Sequence, residues 1–112
     1  MLFGPVYVGA GQHVELCSGN LGEGDLSAAV HFRNITTGEV TPPVDVALKQ
    51  GGGGCATYTG IGRVIGMTRT DGRGSDWGSP SNPLIATMAI VDNDGGARVA
   101  VLGIAKLWLR GL

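Results

Sequence analysis

The stretch Val91-Asp92-Asn93-Asp94-Gly95-Gly96 is where this chain comes nearest to the pattern of a divalent-cation loop. Calcium takes carboxylate and carbonyl oxygens, and a glycine after closely spaced Asp and Asn lets a loop turn sharply around the ion. Counted from Asp92, an EF-hand register needs an oxygen ligand at the fifth position, glycine at the sixth and Glu at the twelfth. Those positions hold Gly96, Ala97 and Gly103, so the register fails. The same letters suit a tight hairpin, in which Asn, Asp and Gly accept positive φ angles. With alternating apolar segments on both sides, the reading is a corner with no metal.

The remaining candidates for chemistry are weaker. His13 and His31 are the only histidines, and each falls on the polar face of an alternating segment with no Cys or His at ligand spacing. Ser18, Ser27, Ser75, Ser79 and Ser81 lack the strand–turn–helix setting of a nucleophile elbow. Gly60, Gly62 and Gly66 in "GIGRVIG" lead into a strand, whereas phosphate cradling needs the amides of a helix N-terminus. Asn34-Ile35-Thr36 is a glycosylation sequon at a hairpin. No catalytic residue, metal ligand or cofactor site is expected, and the chain is not read as an enzyme.

Composition sets the frame for these residues. The 112 residues suit one domain, large enough to bury about two-thirds of its unfolded surface. Hydrophobic residues make up 43% and charged ones 15%, with eight basic against nine acidic side chains. A formal charge of −1 with no basic stripe gives no electrostatic case for nucleic acid or an anionic membrane. No apolar run approaches the ~20 residues needed to span a bilayer. No charged-then-apolar leader precedes Phe3, so a mature or trimmed form is expected.

Alternation with period two dominates the chain. Leu26, Ala28, Val30 and Phe32 share one face, opposite Ser27, Ala29, His31 and Arg33. Val44, Val46 and Leu48 repeat the pattern, as do Val14 and Leu16 against His13, Glu15 and Cys17. Further strands are expected at Pro5–Val8, Cys55–Thr59, Arg63–Thr70, Leu84–Asp92 and Arg98–Leu102. Glycine-bearing turns separate them, including the run Gly51 to Gly54. About eight short strands at this spacing predict an all-β antiparallel sandwich.

The segments "FGPVYVGAGQHVELCSGN", "HFRNITTGEV", "RVIGMTRT" and "IATMAIVDNDGGARVAVL" resemble a group of small secreted bacterial immunoglobulin-like domains. The similarity covers Phe3 to Leu102 and rests mostly on turn chemistry. It implies an immunoglobulin-like β-sandwich of about seven to nine strands over residues 1–102, outside the cytoplasm or on the cell surface. Residues 103–112 then form an apolar C-terminal extension. In an immunoglobulin-like order the second and fifth strands are neighbours, and Cys17 and Cys55 share outward parity. A cross-strand disulfide closing a loop worth roughly 3–4 kcal/mol is then expected, with two free thiols as the alternative.

Two segments remain for partners. The polar stretch Thr70 to Pro83 carries Trp77 at its middle, placed either to stack on a sugar or anchor a protein, or to fold back and cap the sandwich. The tail places Ile104, Leu107, Trp108 and Leu109 beyond the last expected strand. Such a segment either covers its own sheet edge or packs on a neighbouring copy. The functional expectation is a non-enzymatic structural or surface subunit that self-associates through termini and sheet edges, a filament where the contact does not close into a ring. The alternative is a carbohydrate- or protein-binding module using the Trp77 loop.

Overall fold

The computed structural model describes residues 2–21, 24–70, 84–96 and 98–106, with residues 70, 84 and 98–106 described by backbone alone. Eight strands follow one another: β1 (Leu2–Val8), β2 (Gln12–Asn20), β3 (Leu26–Asn34), β4 (Val44–Leu48), β5 (Gly53–Tyr58), β6 (Gly62–Thr70), β7 (Leu84–Asp92) and β8 (Arg98–Lys106). They form two antiparallel four-stranded sheets. Sheet 1 has the order β1-β6-β3-β4 and sheet 2 the order β5-β2-β7-β8.

The alternation explains how the sheets meet, because successive side chains point to opposite faces and one face of each sheet is apolar. Val8, Val30, Phe32 and Val64 from sheet 1 share one buried cluster with Val14, Leu16, Tyr58 and Met88 from sheet 2. The two sheets therefore stack face to face around a single core. A smaller cluster of Ala28 and Leu48, joined by Leu26 and Val46, closes the end near the β4–β5 connection.

Gly66 shows how closely the layers approach. A Cβ built there would lie 2.7 Å from Met88 Sδ and 2.8 Å from Leu16 Cδ1, both across the core in sheet 2. The centre of β6 has to be bare so that Met88 and Leu16, both fully buried, can fill the space.

One or both ends of every strand but β7 differ from the alternation pattern, β1 and β8 through register irregularities. β1 begins at Leu2 and continues through a register irregularity between Phe3 and Val6, where Gly4 has φ 107° and the Gly4–Pro5 bond is cis. β8 runs past Leu102 to Lys106, with Ile104 opposite Thr87 and Lys106 opposite Ile85. The first residues of the expected extension thus belong, by their backbone, to sheet 2. Partners skip Gly103 and Val99, so two irregularities absorb extra residues and the pairing resumes beyond each. A broken alternation at Gly103 looks like a strand end in sequence, and pairing with β7 makes it an interruption.

Replacing Gly66 by Val forces a branched side chain into this filled interior. Denaturant unfolding should show a loss of about 1–3 kcal/mol relative to the native chain, with the β-sheet circular dichroism retained.

Candidate functional site

The turn after β7 is a hairpin. Gly96 N donates to Asp92 O at 3.1 Å, and Gly95 and Gly96 have φ values of 88° and 70°. Its polar groups are used against β2. Asn93 N donates to Gly11 O at 2.8 Å, Asn93 Oδ1 lies 2.6 Å from His13 Nδ1, and Gln12 Nε2 reaches Asp92 Oδ1 at 3.5 Å. On its other side His13 Nε2 is 3.6 Å from Glu15 Oε2. His13 therefore joins two strands on the outer face of sheet 2, where its parity placed it. Among the described residues no group of three His, Cys, Asp or Glu side chains is placed to hold a metal ion.

Cys17 and Cys55 are bonded to each other and sit directly opposite in the β2–β5 register. Cys17 is half-buried and Cys55 exposed, so the bond lies on the outer face of sheet 2. It fastens the edge strand β5, which is six residues long and opens with Gly53 and Gly54.

The ends of the sheets are held by two buried asparagines. Asn20, at the end of β2, donates through Nδ2 to Gly24 O at 2.8 Å and Leu48 O at 3.1 Å. Asn34, at the end of β3, is 1% exposed. Its Nδ2 donates to Ile61 O at 2.9 Å and to the Tyr58 hydroxyl at 3.2 Å, while its Oδ1 accepts from Thr36 N at 3.0 Å and Thr37 N at 3.1 Å. The sequon nitrogen is thus consumed inside the fold, and the folded chain offers no glycan acceptor at Asn34. Strand parity carries this signal, since Phe32 faces the core and Asn34 follows two residues later on the same face. The sequon pattern masks it.

Tyr58 links this cluster to the surface. Its ring stacks on Phe32 with centroids 5.7 Å apart, and its hydroxyl donates to Glu39 Oε1 at 2.5 Å. Burial raises the phenol pKa above its ordinary value, and the bond to Glu39 pushes the same way while the bond from Asn34 opposes it.

The outer face of sheet 1 has a different character. Register places Tyr7 beside Arg63, Arg33 beside Ile65, and Leu2, Met67 and His31 in one row, with Arg69, Ala29 and Asp45 in the next. Arg33, Arg63 and Arg69 are exposed. A hollow of about 260 Å³ opens on this face, lined by Ala29, His31, Pro43, Met67, Thr68 and Arg69. His31, the second polar-face histidine, forms part of its wall. Alternation places each arginine outward and sets Arg63 and Arg69 on one side of β6, and the pairing of β3 with β6 adds Arg33 to the same surface.

Of the other residues singled out by sequence, Ile104 is placed by backbone register alone, and Trp77, Leu107, Trp108 and Leu109 lie outside the described residues. No helix among the described residues is long and apolar enough to cross a membrane.

Two measurements check this site. A phenol held neutral stabilises the fold fully below its unfolded pKa of about 10, and that contribution is lost as pH rises through the higher folded value. Unfolding free energy should therefore be insensitive to Tyr58 up to about pH 10 and fall above it, and Tyr58→Phe should remove that alkaline component. Replacing Cys17 and Cys55 together by Ala frees a 38-residue separation in the unfolded chain. Denaturant titration should then show a loss of about 3–4 kcal/mol on the chain-entropy model.

A scan against protein-family models and searches of curated proteins and of solved structures found no match to this chain.

Proposed function

We propose that this protein is a non-enzymatic structural or surface subunit that works outside the cytoplasm and self-associates. Its two sheets are read as an immunoglobulin-like sandwich of the kind that small secreted bacterial domains use. The neighbouring β2 and β5 support that order. A disulfide in a domain of this size supports an oxidising compartment.

The observation that carries the reading is where the exposed apolar side chains lie. Of seven exposed large hydrophobics among the described residues, six belong to sheet 1 or to the turns that lead into it. They are Leu2, Tyr7, Ile35, Val40, Val44 and Ile61, each at least 50% exposed. Leu2 and Tyr7 lie on the outer face of sheet 1 beside Met67 and Arg63, and apolar groups set among methionine and arginine have the composition of a protein–protein contact.

The sheet edges favour a contact through this face over strand addition. β1 carries Pro5 and an irregularity, β4 has five residues and follows Pro42-Pro43, β5 is fastened by the disulfide, and β8 has two irregularities. Devices of this kind blunt edges against pairing with another chain. Sedimentation of the full chain from micromolar to millimolar concentration tests the reading. The weight-average mass should rise with concentration above the 11.4 kDa of one chain, and a monomer throughout the range overturns the proposal.

A further inference from the structure

Among the described residues charge is segregated in a way that the balanced composition conceals. Four cationic side chains are described, and three of them, Arg33, Arg63 and Arg69, project from the outer face of sheet 1. Asp45 is the one described carboxylate on that face. The other five (Glu15, Asp25, Glu39, Asp92 and Asp94) lie elsewhere. Among the described residues Lys49 pairs with Asp25, and none of the three arginines is within ion-pair distance of a described carboxylate.

The acidic counterpart is the β7–β8 turn. Asp94 is exposed, Asp92 half-exposed, and the neighbouring residues Asn93, Gly95 and Gly96 are exposed as well. A Cβ at Gly95 or Gly96 would meet nothing within 4 Å, so the tip of the turn is open to solvent. Its backbone is fixed by the bonds from Asn93 N to Gly11 O and from Gly96 N to Asp92 O. The two carboxylates are therefore presented on a rigid, narrow projection with no bulky side chain after them.

We infer that the occupant of the sheet 1 face is the 92–96 turn of a second copy of this chain. The inference rests on the self-association proposed above and names its two surfaces. The guanidinium groups take the Asp92 and Asp94 carboxylates in charge-assisted hydrogen bonds, and arginine's planar fork suits a carboxylate better than an ammonium does. The exposed Leu2 and Tyr7 are covered by the same approach. Face and turn are unlike surfaces, so the contact is heterologous: each copy has a free turn and a free face, and copies add head to tail.

Charge exchange on the full chain tests this. Arg63→Glu with Arg69→Glu makes a face-reversed chain, and Asp92→Lys with Asp94→Lys makes a turn-reversed one. Arg63, Arg69 and Asp94 are exposed and Asp92 is half-exposed, so circular dichroism and thermal melting should match the native chain. Each altered chain alone should self-associate at least tenfold more weakly than the native chain. An equimolar mixture should recover association to within about threefold, because each face then meets a turn of opposite charge. Native association should also weaken steeply between 0.05 and 0.5 M salt, as screening requires (roughly 10 Å Debye length at 0.1 M). If the altered chains associate like the native one, or the mixture fails to recover, this contact is overturned while self-association stands. If the native chain is monomeric throughout, both fall.

Discussion

A primary amide offers two N–H donors and an oxygen with two lone pairs, and Asn34 uses all four inside the protein. Removed from water, such a group destabilises the fold unless every partner is supplied. The partners come from the β3–β4 connection, the end of β5 and the β5–β6 turn, so one side chain ties a connection within sheet 1 to the segment that crosses from sheet 2. Gly62 is shaped by the same group, since a Cβ there would lie 2.6 Å from Asn34 Oδ1. Asn20 plays a similar part at the other end, against Gly24 and Leu48. The apolar interior thus ends in polar plugs rather than in open mouths.

Between these plugs the packing is tight and directional. Gly66 admits Met88 and Leu16 to the centre, and Phe32 stacks on Tyr58 beside the Asn34 cluster. Polar satisfaction and core packing therefore share residues, with Tyr58 contributing a ring to one and a hydroxyl to the other. The disulfide is independent of both. It lies outside the core, on sheet 2, and restrains a glycine-rich edge strand whose own side chains contribute little packing.

The two outer faces have divided roles. On sheet 2 His13 is held between Asn93 and Glu15 and the cysteines are joined. Sheet 1 keeps three arginines and several large apolar side chains available to solvent. Leu2 beside Met67 and Tyr7 beside Arg63 are among them.

Sequence alone determined the all-β class and the approximate places of the eight strands, because period-two alternation and glycine turns are local properties of the chain. The failed ligand register was legible for the same reason, as was the common outward parity of Cys17 and Cys55. Tertiary structure decided what depends on which strands become neighbours. It alone turned the sequon residue Asn34 into a buried plug, since the partners that surround it come from residues up to 27 positions away. It alone carried β8 through Gly103, because pairing with β7 restores a register that local alternation loses. And it alone brought Arg33 of β3 onto the face that Arg63 and Arg69 share by parity within β6: parity fixes the side of a sheet on which a residue lies, but strand order fixes its company.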